Sequence, residues 1–201
     1  MASQTMAGPR ASDARDDVVS RPVYQPFRPD ASGRTHVALA DASARDALAR
    51  FVDDAVRAGL PLARVRVLDQ ADSQVDSDRE ADADAAALAL RALLDDADMG
   101  TRLYLLGAEH TVWPLARLAR ELGLMPEAIH VWSAGRARRP VYCVHCRTRM
   151  PDCERTVVPC AGCGRALGVR DHFSRELGAY LGVRIDAEHP GRIPAAEALQ
   201  P

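Results

Sequence analysis

Short apolar runs and helical stripes alternate along the first two-thirds of the chain. His36-Val37-Ala38-Leu39-Ala40 is an apolar run of strand length, followed by Asp41 and Ser43 as helix-starting caps. Leu48, Phe51, Val52 and Val56 then recur at helical spacing until Gly59 and Pro61 stop the helix. Val65 to Leu68 predicts a second strand. Asp69 to Asp84 is an acidic stretch expected to form a solvated loop, running into a helix that carries Leu88, Leu90, Leu93 and Leu94. Leu103 to Gly107 predicts a third, buried strand. Thr111 is placed to cap the next helix, with Pro114 in its first turn, where a missing N–H costs nothing. That helix presents Val112, Leu115, Leu118, Ala119 and Leu122, ends at Gly123, and leads to a fourth strand over Ala128–Trp132. Four strands alternating with three helices predict a parallel sheet covered by helices on its faces.

The flanks read differently. Residues 1–34 are rich in Ala, Ser, Arg, Asp and Pro, with Val23, Tyr24 and Phe27 as the available anchors, and are expected to be a disordered arm. Gly135 to Pro140 carries three arginines and reads as a linker. Asp171 to Leu181 reads as a closing helix with Leu177, Tyr180 and Leu181 on one side. Asp186 to Pro201 is a Pro- and Ala-rich tail expected to pack in part. The organisation expected is therefore an arm over 1–34, an α/β domain over 35–135 and a small module over 136–201.

The 201 residues are 47% hydrophobic, enough to bury a core, and the formal charge of −2 excludes a global attraction to nucleic acid or anionic membrane. Charge is instead local: nine arginines stand between Arg136 and Arg175 against Asp152, Glu154 and Asp171, and the chain has no lysine. The start, Met1-Ala-Ser-Gln-Thr, lacks the apolar region of a signal peptide, and no stretch has the length of a membrane helix. A cytoplasmic protein with neither nucleic-acid nor membrane partners is expected.

Four of the five cysteines form two CxxC pairs. Cys143-Val-His-Cys146, thirteen residues, and Cys160-Ala-Gly-Cys163-Gly164 repeat one turn that aims two sulfurs at a point, and two such turns make a tetrahedron. Gly162 and Gly164 suit the second turn, where left-handed backbone is needed. Two readings stay open: zinc that only folds a ribbon too poor in large apolar residues to fold alone, or a rubredoxin-like iron that carries electrons. Cys153 lies midway along the spacer and reads as a spare thiol, and His145 as an exposed loop residue.

No catalytic constellation appears: there is no Ser-His-Asp set, no carboxylate pair and no P-loop. The first strand runs into Asp41-Ala-Ser-Ala-Arg-Asp, without the glycines that let phosphate approach a helix N-terminus. His110 reads as a solvent-facing or capping residue, and Trp113 and Trp132 as core or interface aromatics. Nevertheless, Leu105-Leu106-Gly107-Ala108-Glu109 through Ile129-His130-Val131 resembles the nucleotide half of the ferredoxin reductases and of the siderophore-interacting ferric reductases. That resemblance implies a small Rossmann-like sheet over residues 36 to about 135; without the glycine turn the sheet reads as a fold reused as a scaffold, residual nucleotide binding staying open, and the four cysteines after it read as a zinc-ribbon or rubredoxin-like module.

The C-terminal run is more specific. Cys160-Ala-Gly-Cys163-Gly164, Leu167-Gly-Val-Arg170-Asp171-His172-Phe173-Ser174-Arg175 and Ala179-Tyr180-Leu181-Gly182-Val183 resemble the small subunit of bacterial dimethylamine monooxygenase. The resemblance implies a subunit of a multisubunit NADPH-dependent enzyme that demethylates dimethylamine to methylamine and formaldehyde. Its haem, FMN and [2Fe–2S] cluster are then expected on partners, a haem-containing oxygenase subunit and a flavin and iron–sulfur reductase subunit. Asp171, His172, Phe173 and Arg175 have two readings. In one, Asp171 caps the last helix, Phe173 packs on the ribbon and Arg175 lies near the thiolate charge; in the other they dock a partner subunit. Three functions remain to be separated: a structural, docking or electron-relaying subunit, a rubredoxin-like electron carrier, and a zinc-ribbon nucleic-acid adaptor.

Overall fold

The computed structural model describes residues 20–24, 27–68, 76–133 and 138–200. Residues 69–75 of the loop expected over 69–84 and residues 135–137 of the linker expected over 135–140 lie outside these residues, as does most of the expected arm.

Four parallel strands, β1 (Thr35–Asp41), β2 (Leu62–Leu68), β3 (Thr101–Leu106) and β4 (Ile129–Trp132), form a sheet in the order β2-β1-β3-β4. The alternation of side chains along each strand feeds two separate cores. On one face Ala38, Ala40, Tyr104 and Leu106 receive Ala47, Leu48 and Phe51 of helix α1 (Arg45–Arg57). On the other, Val37, Leu39, Leu103 and Leu105 receive Leu90 and Leu93 of α2 (Asp76–Leu93) and Val112, Leu115 and Ala119 of α3 (Glu109–Glu121).

Several expectations shift. The buried stripe of α1 runs through Ala55 and leaves Val56 exposed, and in α2 Ala86 and Ala89 are buried while Leu88 faces solvent. Small alanines fit closely against a parallel sheet, so the helices present faces rotated by one residue from the large-residue stripe. The acidic stretch is helical from Asp76, ahead of the expected boundary. Helix α3 starts two residues before Thr111, with Ala108 at its cap, and Pro114 therefore lies in its second turn.

The second sheet has the order β6-β5-β9-β8-β7, built from β5 (Arg139–Cys143), β6 (Arg149–Cys153), β7 (Val157–Pro159), β8 (Ala166–Ser174) and β9 (Ala179–Arg184). Pro151 and Pro159 sit on its two edge strands, where no ladder donor is missed. The closing helix expected over Asp171–Leu181 is a hairpin: Phe173 faces Tyr180 and Ser174 faces Ala179. Gly178 closes its turn at φ +59, and a Cβ at Gly182 would lie 2.8 Å from Val141 Cγ1, so the strands approach through glycine. Leu199 of the tail is buried and its N–H donates to the Glu154 carbonyl at 2.8 Å.

Residues 20–24 and 27–34 differ from the arm expected there, because long-range contacts fasten them. Phe27 packs edge-on to Phe51 and Tyr104 with ring centroids 5.3 and 5.4 Å away. The Asp30 N–H donates to Tyr104 Oη at 2.8 Å, and Arg102 Nε donates to the Asp30 carboxylate at 2.8 Å. The Ser20 N–H reaches the Asp171 carbonyl at 3.2 Å, tying this segment to the second sheet.

Candidate metal centre

The two CxxC turns fold alike because each closes a hairpin, one between β5 and β6 and the other between β7 and β8. In the first, the N–H of Arg147 donates to the Cys143 carbonyl at 2.9 Å and that of Cys143 to the Thr148 carbonyl at 3.0 Å. In the second, Gly164 donates to Cys160 and Cys160 to the Arg165 carbonyl, both at 2.9 Å. The residue after each second cysteine is left-handed: Arg147 at φ 65 and Gly164 at φ 68. Gly162 serves by its size, since a Cβ there would lie 2.0 Å from Thr148 Oγ1 and 3.2 Å from Cys146 Sγ.

Both turns point at one place. Cys143 Sγ lies 3.9 Å from Cys163 Sγ and Cys146 Sγ 3.5 Å from Cys160 Sγ, and all four sulfurs fall within 4.8 Å of one another. A tetrahedron with metal–sulfur bonds of about 2.3 Å has edges of about 3.8 Å, so this donor set fits a four-thiolate ion. Cys143 and Cys160 are buried beside Val141, Met150 and Leu167, whereas Cys146 is exposed.

Local donors match anionic sulfur. Thr148, through its hydroxyl and its N–H, draws the Cys146 thiol down to about 6. The backbone N–H of Arg165 and then its guanidinium lower Cys163, while burial pushes Cys160 up to about 11. Thr148 and Arg165 each stand two residues after a second cysteine, a signal readable from the repeat itself. His145 is exposed, as expected, and its Nε2 accepts the Arg184 N–H at 3.1 Å, outside the sulfur cluster. Cys153 is buried, outside the cluster, and its thiol is raised to about 11 chiefly by burial.

Of the segment expected to dock a partner, Phe173 is buried, and Asp171, though exposed, is held by two arginines. Phe173 packs on Trp113 at 5.2 Å and on Tyr180 at 5.0 Å, joining α3 to the second sheet. Asp171 caps no helix. Its carboxylate accepts from Arg21 at 2.8 and 2.9 Å and from Arg139 Nη1 at 2.7 Å, and the Arg21 and Arg139 guanidiniums hold it below the usual carboxylate range. Arg139 is buried; its Nη2 donates to the Gln200 carbonyl at 2.9 Å and its guanidinium lies 4.7 Å over the Tyr180 ring. His172 is exposed, and Arg175 lines a surface groove beside Trp113. Sequence reasoning missed the polar seam behind them, in which Tyr24 Oη donates to Glu109 at 2.8 Å, Trp113 Nε1 to Tyr24 Oη at 2.9 Å and Tyr180 Oη to Glu109 at 3.3 Å.

In the parallel sheet the chain turns from β1 to β2 on one side and returns to β3 on the other, so the crevice beyond the ends of β1 and β3 is where such sheets receive ligands. Here it holds a side chain. Asp41 Oδ2 accepts the Ala108 N–H at the start of α3 at 2.7 Å, and Oδ1 accepts the Ser43 N–H at 2.9 Å and its hydroxyl at 2.5 Å. Asp41 is 5% exposed, and a Cβ on Gly107 would lie 2.3 Å from its carboxylate. His110 is exposed in the first turn of the same helix, and Trp132 packs against the α1 core.

Two family models match this chain: dimethylamine monooxygenase subunit DmmA-like, N-terminal domain, over residues 16–129, and the C-terminal domain of the same family over residues 140–183. A curated relative, the heme-dependent oxidative N-demethylase delta subunit of Ectopseudomonas mendocina (strain ymp), is 48% identical over 103 residues, 51% of this chain. The chain spans 59% of that relative's length. No solved structure matches it. Among the described residues no helix is long and apolar enough to cross a membrane. With models matching on both sides of the linker region, the chain belongs to the dimethylamine monooxygenase subunit DmmA-like family.

Proposed function

We propose that this chain is a docking subunit of a multisubunit oxidative N-demethylase, NADPH-dependent and acting on dimethylamine, in which Cys143, Cys146, Cys160 and Cys163 bind one zinc ion. The observation that carries the docking role is Asp41. A carboxylate of the chain itself occupies the helix N-terminus where a dinucleotide phosphate would lie, so the sheet serves as a scaffold. Zinc at the four sulfurs fixes two hairpins that small apolar residues alone would hold weakly. Haem, FMN and a [2Fe–2S] cluster belong, in this reading, to an oxygenase and a reductase subunit, and the organisation is a sheet domain over 35–135 with a metal module over 136–201. Family membership and the relative's name support the assembly; the enzyme's chemistry takes place on the partners, in the cytoplasm.

Coexpression of the chain with candidate oxygenase and reductase subunits tests this. Copurification, and loss of amine-dependent NADPH oxidation when the chain is omitted, are the expected results; a chain that elutes alone and whose omission leaves that activity intact contradicts the assignment. A second reading, iron at the same sulfurs relaying electrons, is favoured by the exposure of Cys146 and Val144 at the rim of the cluster. Visible absorption that bleaches on reduction selects iron, and a colourless protein with one zinc per chain selects the first reading. The nucleic-acid adaptor finds no support here, because Arg139, Arg138 and Arg21 are engaged with Asp171, Asp152 and Glu154.

A further inference from the structure

A groove of about 310 Å³ opens between α3, the edge strand β4 and residues 22–24. Its floor is apolar: Trp113 and Ala116 from α3, Pro126, and Ile129 and Val131 from β4. Val23 on one wall is 83% exposed, and Met125, next to Pro126, is 64% exposed, so hydrophobic surface is left in water around the opening. Among the described residues strand β4 is paired only with β3, on one of its two edges.

Among the described residues, the charged side chains that line the groove are Arg117, Arg120 and Arg175, with glutamates set beside two of them. Arg117 meets Glu121 at 3.5 Å and Arg120 meets Glu176 at 3.4 Å, both glutamates being well exposed, while Arg175 makes no ion pair among the described residues. Each of the two paired guanidiniums retains further donors. An apolar floor with a cationic rim selects a ligand that is apolar at its centre and anionic at its ends. Trp113 Nε1 is already committed to Tyr24, so the indole offers its ring face rather than a donor.

We infer that this groove docks an acidic peptide segment of a partner subunit, with an aromatic or leucine side chain on Trp113, Ile129 and Val131 and flanking carboxylates on Arg117, Arg120 and Arg175. The inference deepens the docking role proposed above and rests on it for the partner's identity. Arg175, in the turn that follows β8, lines the groove together with Ile129 and Val131 of β4, so the occupant contacts the parallel sheet and the β8–β9 turn at once.

The test is fluorescence anisotropy of the full, metal-loaded chain with a labelled peptide, Glu-Asp-Glu-Phe-Leu-Glu-Asp, and its counterpart with lysine at every acidic position. The acidic peptide binds, the lysine peptide binds at least about tenfold more weakly, and added salt weakens the former. The triple variant Arg117→Glu, Arg120→Glu, Arg175→Glu loses about tenfold or more. Should that variant fail to fold, Val23→Asp, an exposed change on the groove wall, produces the same direction of loss. Equal binding of the two peptides, wild-type binding by the variants, or no binding overturns the inference, as does concentration-dependent self-association that the triple variant abolishes, which would make a second copy the occupant. Copurification with the partner subunits is scored separately: peptide binding lost with the complex intact removes the groove alone, and peptide binding without any complex removes the subunit assignment.

Discussion

Replacing Asp171 by Asn removes the negative charge between Arg21 and Arg139 while keeping the side chain's size. The two arginines differ in depth: the Arg139 side chain is 5% exposed, that of Arg21 33% and that of Asp171 44%. Breaking a fully buried ion pair costs about 3–5 kcal/mol, because the remaining charge is stranded, whereas an exposed pair contributes about 0.2–1 kcal/mol. Asp171 is half in solvent, and Arg139 keeps the Gln200 carbonyl and the Tyr180 ring, so the loss scales down to about 2 kcal/mol. Arg21→Ala removes only the outer partner and costs about 0.5 kcal/mol. Urea unfolding followed by tryptophan emission reads this seam, because Trp113 lies against Phe173. The Asp171 carboxyl is depressed in the folded state, so its contribution is complete above the unfolded value of about 3.9 and is lost as pH falls through the folded value. The difference between wild type and Asp171→Asn is therefore constant from neutral pH down to about 5 and shrinks below about 3.9. Replacing both members of the inner pair, Asp171→Leu with Arg139→Met, recovers much of the stability that either single change loses. Equal costs for Asp171→Asn and Arg21→Ala, or a difference that survives at low pH, would refute the assignment of Asp171 as the counter-ion of a buried arginine.

Gly162→Ala places a Cβ on Thr148 Oγ1 and costs about 1–3 kcal/mol in the metal-loaded protein, and Thr148→Ala in the same chain relieves more than half of it, as chelator-driven metal release checks. Asp41→Ala orphans the Ala108 and Ser43 donors in a buried crevice, lowering stability in thermal melts by about 2 kcal/mol; a neutral result would mean that the carboxylate is dispensable there. Glu109 is raised by burial, so its ionised form opposes folding as pH rises through the carboxylate range. Glu109→Gln, which keeps an acceptor for Tyr24, should be more stable than wild type at neutral pH and equal to it below about 4.3, measured by urea midpoints across that range.

The parallel sheet was legible because its strands are short apolar runs and its helices carry stripes at 3.6-residue spacing. Where the stripe was mis-phased, at Val56 and Leu88, alanines had entered the core, and alanine carries little hydrophobic signal in a chain so rich in it. The hairpin after Asp171 was missed because Leu177, Tyr180 and Leu181 happen to have helical spacing. What decides for strands is the pairing of Phe173 with Tyr180 and the glycines at 178 and 182, which a sequence pattern weighs poorly. Residues 20–24 and 27–34 looked disordered because the contacts that fasten them to the rest of the chain are remote: Tyr24 to Glu109, Asp30 to Tyr104, Arg21 to Asp171. At the candidate centre the four sulfurs followed from spacing alone, since each CxxC turn is local. Asp41 read as a cap and is one, but its hold on the start of α3 depends on β1 and β3 lying side by side.

The most direct test of the account is the metal content of the chain, alone and within the purified complex, alongside the paired substitutions Cys143→Ser and Cys160→Ser. One zinc per chain, lost together with the chain's place in the complex in the double variant, is the predicted result. A metal-free chain, or a double variant that still assembles and supports amine-dependent NADPH oxidation like wild type, would contradict it.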